Sequence, residues 1–129
     1  MAPVRPLTPI QAKAASRMSE ARLLAHVRHA ARQLGWKTYH THRSDRSEPG
    51  FPDLCMVRMD QLIFVELKVQ SEVYGKLSDD QTEWGMALAA TGHPMLLWRP
   101  EQWLNGTIER SLLAERTAQR APDAGEGAL

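Results

Sequence analysis

Apolar and polar residues recur with two different periods along the chain. Between residues 19 and 34 the apolar positions are three to four residues apart, which is the spacing of one helix face. We predict a helix that begins at Ser16 or Ser19, either of which can cap it, and that ends before Gly35. The segments 36–43, 53–58 and 62–69 are predicted to be strands. The polar break between the last two is short enough for an antiparallel hairpin.

Capping and turn residues predict the second half of the chain. Ser78 and Gln81 have the form of a capping box, which indicates a helix to about Thr91, ahead of Gly92. We expect a further strand over 94–99, a helical turn over 100–103 and a last helix over 108–120. The order α-β-β-β-α-β predicts an α/β fold in which helices flank a mixed central sheet.

The composition is that of one small domain. The chain has 129 residues, of which 43% are hydrophobic, enough for a single core. We expect a flexible leader over 1–15, one domain over 16–120 and a disordered tail over 121–129. The single Cys55 excludes an internal disulfide, and no apolar segment approaches the ~20 residues of a membrane span. With no signal peptide recognisable, we expect a soluble, cytoplasmic protein without a membrane partner.

The charges are distributed unevenly. Residues 1–47 contain nine basic and two acidic residues, whereas the remainder contains seven basic and thirteen acidic ones. This asymmetry is typical of a basic face for phosphates beside an acidic pocket for a metal. The alternative is a set of helix surfaces that are basic for solubility alone.

Two carboxylates and a lysine interrupt segments that otherwise predict buried strands. Asp53 precedes the apolar residues 54–57, while Glu66 and Lys68 lie within 62–69 and therefore share one face of that strand. The hairpin would bring Asp53 close to Glu66. Both carboxylates stay ionised near pH 7 only beside a positive charge, for which a divalent cation is the simplest candidate. The alternative for Glu66 and Lys68 is a half-exposed ion contact.

The predicted first helix carries one acidic residue on its apolar side. Glu20 lies one turn before Leu24, in a stripe that continues through Val27, Ala31 and Leu34. It would either face the sheet and join Asp53 and Glu66, or occupy a frayed first turn where it favours the helix dipole.

These motifs together resemble a nuclease family. The segment Gly50-Phe51-Pro52-Asp53, followed by Glu66-Leu67-Lys68, resembles the Asp … Glu-x-Lys signature of the PD-(D/E)xK nuclease superfamily. Gly75-Lys76-Leu77-Ser78, leading to Gln81, is similar to the VRR-NUC branch, of the short standalone kind. The resemblance covers roughly residues 20–98 and implies a restriction-endonuclease-like core.

The resemblance implies a Mg²⁺- or Mn²⁺-dependent endonuclease. Asp53, Glu66 and the backbone carbonyl of Leu67 would ligate the ion, which suits hard oxygen ligands, and Glu20 would be an additional ligand. Lys68 would orient the attacking water or contact the phosphate. Gln81 would reach the catalytic pocket, or else only close its capping box.

Other polar residues have weaker assignments. Arg43, Ser44, Arg46 and Ser47 form a loop ahead of Asp53 that could hold backbone phosphates, or be an ordinary solvated loop. His40 and His42 share a strand face, but no further ligand lies at the spacing of a zinc site. Cys55 and Trp84 are expected in the core.

The expected partners are DNA and a second copy of the chain. Standalone relatives are associated with branched DNA such as Holliday junctions and with homodimers, and two symmetric cuts need two active sites. Trp98, Trp103 and Leu104 are candidates for the dimer contact, with an ordinary core role as the alternative. A flap or repair nuclease and a non-catalytic nucleic-acid-binding module remain the other functions.

Overall fold

The computed structural model describes residues 4–41 and 46–114. Five helices and four strands follow one another along these residues: α1 (Pro9–Arg17), α2 (Glu20–Gln33), β1 (Lys37–His40), β2 (Leu54–Arg58), β3 (Gln61–Leu67), α3 (Asp79–Ala90), β4 (Met95–Trp98), α4 (Pro100–Leu104) and α5 (Thr107–Leu113). The α/β class with a mixed sheet is confirmed. None of these helices is long and apolar enough to cross a membrane.

The strands form one mixed sheet in the order β1-β2-β3-β4. The first three are antiparallel neighbours, and β4 runs parallel to β3 after the crossover through α3. The predicted hairpin between β2 and β3 is present and pairs Leu54 with Val65. This register sets Asp53, one residue before Leu54, beside Glu66, one residue after Val65.

The core lies between one sheet face and α2, with α5 beside it. Leu54, Met56, Ile63, Val65 and Leu67 alternate along β2 and β3 and are all buried. From α2, the buried residues are Leu23, Val27 and Ala31. The predicted apolar stripe of this helix began at Leu24, but Leu24 is only partly buried. Leu23 is the fully buried residue at this end of the stripe.

Residues 9–15 belong to a helix, so the prediction of a flexible leader over 1–15 is wrong there. Thr8 and Gln11 form a complete capping box, and Pro9 occupies the first turn, where its missing N–H and fixed φ are favourable. Ala15 is buried, and α1 packs against α4. Pro9, one of the prolines that indicated a loose segment, instead begins a helix.

The last helix is shorter than predicted. It ends at Leu113, and Ala114 has extended backbone. The carbonyl of Ala114 accepts hydrogen bonds from Arg58 and Gln61 at the β2–β3 turn, and these contacts draw the chain out of the helix. Residues 115–120 of the predicted helix, the predicted tail 121–129, and residues 42–43 of the predicted first strand lie outside the described residues.

Helix α3 meets the opposite face of the sheet. Phe51, in the loop before β2, packs edge-on against Trp84 of α3 and Phe64 of β3, with ring centroids 5.0 and 5.9 Å away. Trp84 is only half-buried, however, and neither Trp84 nor Cys55 is among the buried core residues, so neither has the core position that was predicted. Gly50 has φ +91°, and a Cβ added there would overlap the backbone carbonyl of Asp80. The loop before Asp53 therefore lies directly on the first turn of α3.

We predict that Gly50→Ala destabilises the protein more than Gly92→Ala. Both glycines have positive φ, but a Cβ at Gly92 would meet nothing within 4 Å. Gly92→Ala carries backbone strain alone, about 1 kcal/mol. Gly50→Ala adds the overlap with α3 and should lower the free energy of unfolding by roughly 1–3 kcal/mol more. Urea unfolding of both variants measures the difference, and equal losses would contradict the close packing.

Candidate metal centre

Three carboxylates from three separate elements converge at one end of the sheet. Glu20 is the first residue of α2, Asp53 immediately precedes β2, and Glu66 lies near the end of β3. One carboxylate oxygen from each lies within 4.8 Å of the other two. The structure therefore brings together the three acidic side chains that the sequence selected.

Backbone hydrogen bonds hold Asp53 from both sides. Its carbonyl accepts a hydrogen bond from the N–H of Thr41, 2.8 Å away, just after β1. Its carboxylate accepts a second one from the N–H of Leu67, also at 2.8 Å. The sheet thus fixes the position of one Asp53 oxygen and leaves the other able to bind a ligand.

Glu66 is buried without full compensation of its carboxylate. Only 2% of the residue is exposed. Its Oε2 accepts a hydrogen bond from the Gln81 amide at 2.9 Å and lies 3.8 Å from the Lys68 ammonium. Its Oε1 has no hydrogen-bond partner within the part of the chain that the structure describes. A buried carboxylate oxygen without a partner is costly, and a cation would satisfy it.

Burial and the neighbouring acids favour the neutral form of Glu66. Desolvation, followed by the proximity of Asp53, raises the pKa of Glu66 to about 8, although Lys68 opposes the increase. One lysine therefore does not offset the charge of the cluster. A divalent cation would do so, and it would restore the ionised form of Glu66 near pH 7.

Glu20 combines the two arrangements that the sequence left open. It is exposed as a residue and occupies the first turn of α2, behind the Ser19 cap. Its carboxylate nevertheless belongs to the cluster, and desolvation and Asp53 raise its pKa while Lys68 lowers it. The direction of its side chain supports the prediction of an additional ligand.

Gln81 likewise performs both roles that had been alternatives. Its Oε1 accepts from the backbone N–H of Ser78, closing the capping box, while its Nε2 donates to Glu66. The cap fixes the side chain, so that the amide points at the carboxylate. Because Gln81 contacts Glu66 itself, its immediate effect is on the position of that carboxylate.

A cleft of about 450 Å³ opens beside the carboxylates. Its walls include Glu20, Asp53, Leu67 and Gln81, together with the loop over residues 47–51. Ser47 lines this cleft, as a phosphate-binding role would require, whereas Arg46 is exposed outside the lining. Arg43 and Ser44 lie outside the described residues. The Leu67 carbonyl stays a predicted ligand, since the contact seen at this residue is the one made by its N–H.

Two cleft residues were not selected from the sequence as part of this site. His40 and Thr41 line the cleft, and the Thr41 hydroxyl donates to the Pro52 carbonyl at 2.6 Å. The signal was the antiparallel pairing of β1 with β2, which sets His40 opposite Leu54. From the sequence, His40 was interpreted only as half of a zinc pair. Its position in the same cleft as Asp53 was not predicted.

The donor set suits a hard divalent cation. It consists of carboxylate oxygens, which match Mg²⁺ or Mn²⁺ rather than metals that favour thiolate or imidazole. The unpartnered Oε1 of Glu66 is the observation that makes the cluster fit an ion.

Comparison with known proteins does not assign the chain to a family. No protein-family model, no curated protein and no solved structure matches it.

We predict that the metal-free protein loses stability as the pH rises and that Glu66→Gln removes this loss. Because the folded-state pKa of Glu66, about 8, exceeds its ordinary value of 4.5, its contribution to stability is full below pH 4.5 and declines as the pH rises toward 8. Without metal, the glutamine variant should be more stable than the original protein by at least about 1 kcal/mol at pH 8. The difference should narrow toward pH 5.

Urea unfolding in EDTA between pH 5 and pH 8 measures this effect. Glu109→Gln is the matched control, because Glu109 is an exposed carboxylate on α5. If the free energies of unfolding of Glu66→Gln and of the original protein change in parallel with pH, ionised Glu66 does not destabilise the folded protein, and the prediction is contradicted.

Proposed function

We propose that the protein is a Mg²⁺- or Mn²⁺-dependent endodeoxyribonuclease with a restriction-endonuclease-like core, acting in the cytoplasm. The observation that carries the proposal is the buried, unpartnered oxygen of Glu66, which lies among the carboxylates of Asp53 and Glu20 with Lys68 beside it. The Asp … Glu-x-Lys motif, by resemblance to VRR-NUC nucleases, favours the same function.

The proposed roles follow from the contacts of each residue. Asp53 and Glu66 would hold the ion, and Glu20 would complete the set of ligands from α2. When bound, the ion would lower the pKa of water and offset the negative charge that develops on a phosphate during hydrolysis. Lys68, held near Glu66, donates to the scissile phosphate or orients the attacking water.

Two further contacts position these groups. The Leu67 N–H holds Asp53, and the Gln81 amide holds Glu66, so that neither carboxylate has to reorganise when the ion enters. In this proposal Ser47, which lines the wall of the cleft, contacts a backbone phosphate of the DNA. A substrate held through its backbone is recognised by its shape rather than by its base sequence.

We predict that the carboxylates and Lys68 separate metal binding from hydrolysis. Asp53→Asn and Glu66→Gln should reduce cleavage of DNA in Mg²⁺ or Mn²⁺ by about 100-fold or more, with loss of ion affinity. Glu20→Gln should weaken activity less, and higher metal concentration should restore part of it. Lys68→Ala should abolish cleavage while leaving ion binding intact.

Cleavage assays over a metal titration, with calorimetry of ion binding, test this order. Glu109→Gln again supplies a carboxylate control away from the cluster. Near-normal turnover by Asp53→Asn would contradict the metal assignment. Equal losses of ion affinity in Lys68→Ala and Asp53→Asn would make Lys68 structural.

We also propose that the active form is a homodimer on branched DNA, because symmetric cutting of two strands needs two active sites. Of the three residues predicted for this contact, Trp98 has the core role that was its alternative, and Trp103 and Leu104 stay candidates. Trp98 is 3% exposed and belongs to the core. Trp103 is partly buried and stacks on His26 with centroids 5.0 Å apart, while Leu104 is also partly buried.

We predict a mass of two chains by light scattering and faster cleavage of a four-way junction than of linear, nicked or flap DNA. Two symmetric incisions in one junction would accompany the dimer. A monomer that makes paired cuts would contradict the dimer. A preference for flaps would favour the repair-nuclease alternative, and binding without cleavage in either metal would favour the non-catalytic module.

A further inference from the structure

The loop between Lys68 and α3 presents two apolar side chains to solvent. Val73 and Tyr74 are 73% and 83% exposed. The Tyr74 side chain makes no hydrogen bond or ring contact with any residue in 4–41 or 46–114. Neither residue contributes to the core, and no role at the metal centre requires them.

Hydrogen bonds hold this loop in one shape. The Ser71 hydroxyl accepts from the N–H groups of Val73 and Tyr74 at 3.2 and 3.1 Å, and the Ser71 carbonyl accepts from Gly75 at 3.0 Å. Arg99 donates to the Val69 carbonyl at 2.9 Å. The backbone that carries Tyr74 is therefore held in one conformation, which reduces the backbone entropy that binding through its ring would cost.

Gly75 shows how closely the loop is packed against its base. The residue is buried, and a Cβ added there would overlap the carbonyl oxygens of Ser71 and Val69 and the guanidinium of Arg99. The tip carrying Val73 and Tyr74 is thus the outward end of an ordered turn.

Both ends of the loop belong to the candidate metal centre. It begins after Lys68, which is paired with Glu66, and it ends at Ser78, the cap that fixes Gln81. Tyr74 is the sixth residue after Lys68, so their Cα atoms are at most about 22 Å apart. That distance corresponds to roughly six nucleotides of one DNA strand at about 3.4 Å each.

Cationic and polar groups lie at the base of the loop. A cleft of about 470 Å³ is lined by Lys76, Arg99, Ser71 and Gln70, with Glu72 as the acidic residue of its wall. Tyr74 does not line this cleft, but it belongs to the same loop as Ser71 and Lys76. An exposed aromatic ring in a loop that also carries basic and hydroxyl side chains suits a nucleotide, whose base stacks while its phosphate binds the cations.

We propose that this loop is a base-stacking element, in which Tyr74 stacks on an unpaired nucleobase within about six nucleotides of the scissile phosphate. The inference rests on the proposed function and narrows its substrate class to DNA with bases that are unpaired near the cut, including a four-way junction whose bases open at the branch point. A base inside a continuous duplex is covered on both faces by its neighbours and offers no surface to the ring. Stacking therefore favours forks, gaps and branch points.

Equilibrium binding in EDTA tests the inference without requiring cleavage. The probe is a forked DNA with 2-aminopurine at the first unpaired position, compared with the same sequence fully paired. Tyr74→Ala should weaken binding to the fork about 5- to 100-fold, while Tyr74→Phe should stay within about threefold of the original protein. Affinity for the paired duplex should change less than about twofold. Stacking on Tyr74 should also quench 2-aminopurine fluorescence, and Tyr74→Ala should lose that quenching.

Tyr39→Ala is the matched control, because Tyr39 is 62% exposed on the edge strand β1. It should retain the affinity and the quenching. Unchanged fork binding by Tyr74→Ala, equal losses on both DNAs, or no DNA binding by the original protein would each overturn the inference. A loss of the dimer in Tyr74→Ala by light scattering, with base-independent DNA binding, would assign the tip to a second copy of the chain instead.

The test also separates this inference from the proposed function. A Tyr74-dependent preference for the fork, without cleavage of any DNA in Mg²⁺ or Mn²⁺, would support the stacking element and contradict the nuclease. Normal metal-dependent cleavage by Tyr74→Ala, with an unchanged order of substrates, would support the nuclease and overturn the stacking element.

Discussion

The candidate site depends on one constraint. Three carboxylates repel one another, and one of them, that of Glu66, is buried with an oxygen that has no hydrogen-bond partner among the described residues. Glu66 is removed from water with one oxygen unpartnered, and Asp53 and Glu20 increase the free-energy cost of its charge. Lys68 relieves only part of that cost. A bound cation would offset the remaining negative charge of Glu66, Asp53 and Glu20. The arrangement of these side chains therefore favours a cation even without substrate.

The rest of the fold keeps these charges from moving apart. The pairing of β2 with β3 sets Asp53 beside Glu66, and the Leu67 N–H holds the Asp53 carboxylate. From the other side, the capping box of α3 fixes Gln81 against Glu66. Two of the three carboxylates, those of Asp53 and Glu66, are therefore restrained by the sheet and by the first turn of α3.

The loop before Asp53 and the loop after Lys68 are built in the same way, although they face different surroundings. In the first, Gly50 permits contact with α3, and Phe51 fills the space between Trp84 and Phe64. In the second, Gly75 permits equally close packing, but the neighbouring side chain, Tyr74, points into solvent. One aromatic residue therefore stabilises the site from within, while the other remains available to a partner.

The sequence alone determined the type and order of the main elements and two members of the acidic cluster, Asp53 and Glu66, but it left the position of Glu20 open. Alternation along β2 and β3 and the short turn between them are local properties, so they predicted the pairing of Asp53 with Glu66. The Ser78–Gln81 capping box was equally local. The Thr8–Gln11 capping box is also a local pattern, but the nearby prolines favour a loose segment, and the helix α1 was therefore not predicted.

Only the tertiary structure decided which way the side chains with two possible roles point. Glu20 could have remained in water, and Gln81 could have served its helix alone, because periodicity specifies a helix face but not what lies against it. The position of α2 across the end of the sheet brings Glu20 into the cluster, and the crossover from β3 through α3 directs Gln81 to Glu66. The end of α5 before Ala114 has the same kind of cause. The Ala114 carbonyl accepts hydrogen bonds from Arg58 and Gln61, which lie more than 50 residues away in the chain. These outcomes depend on contacts between distant segments, whose free energies do not appear in any local pattern of residues.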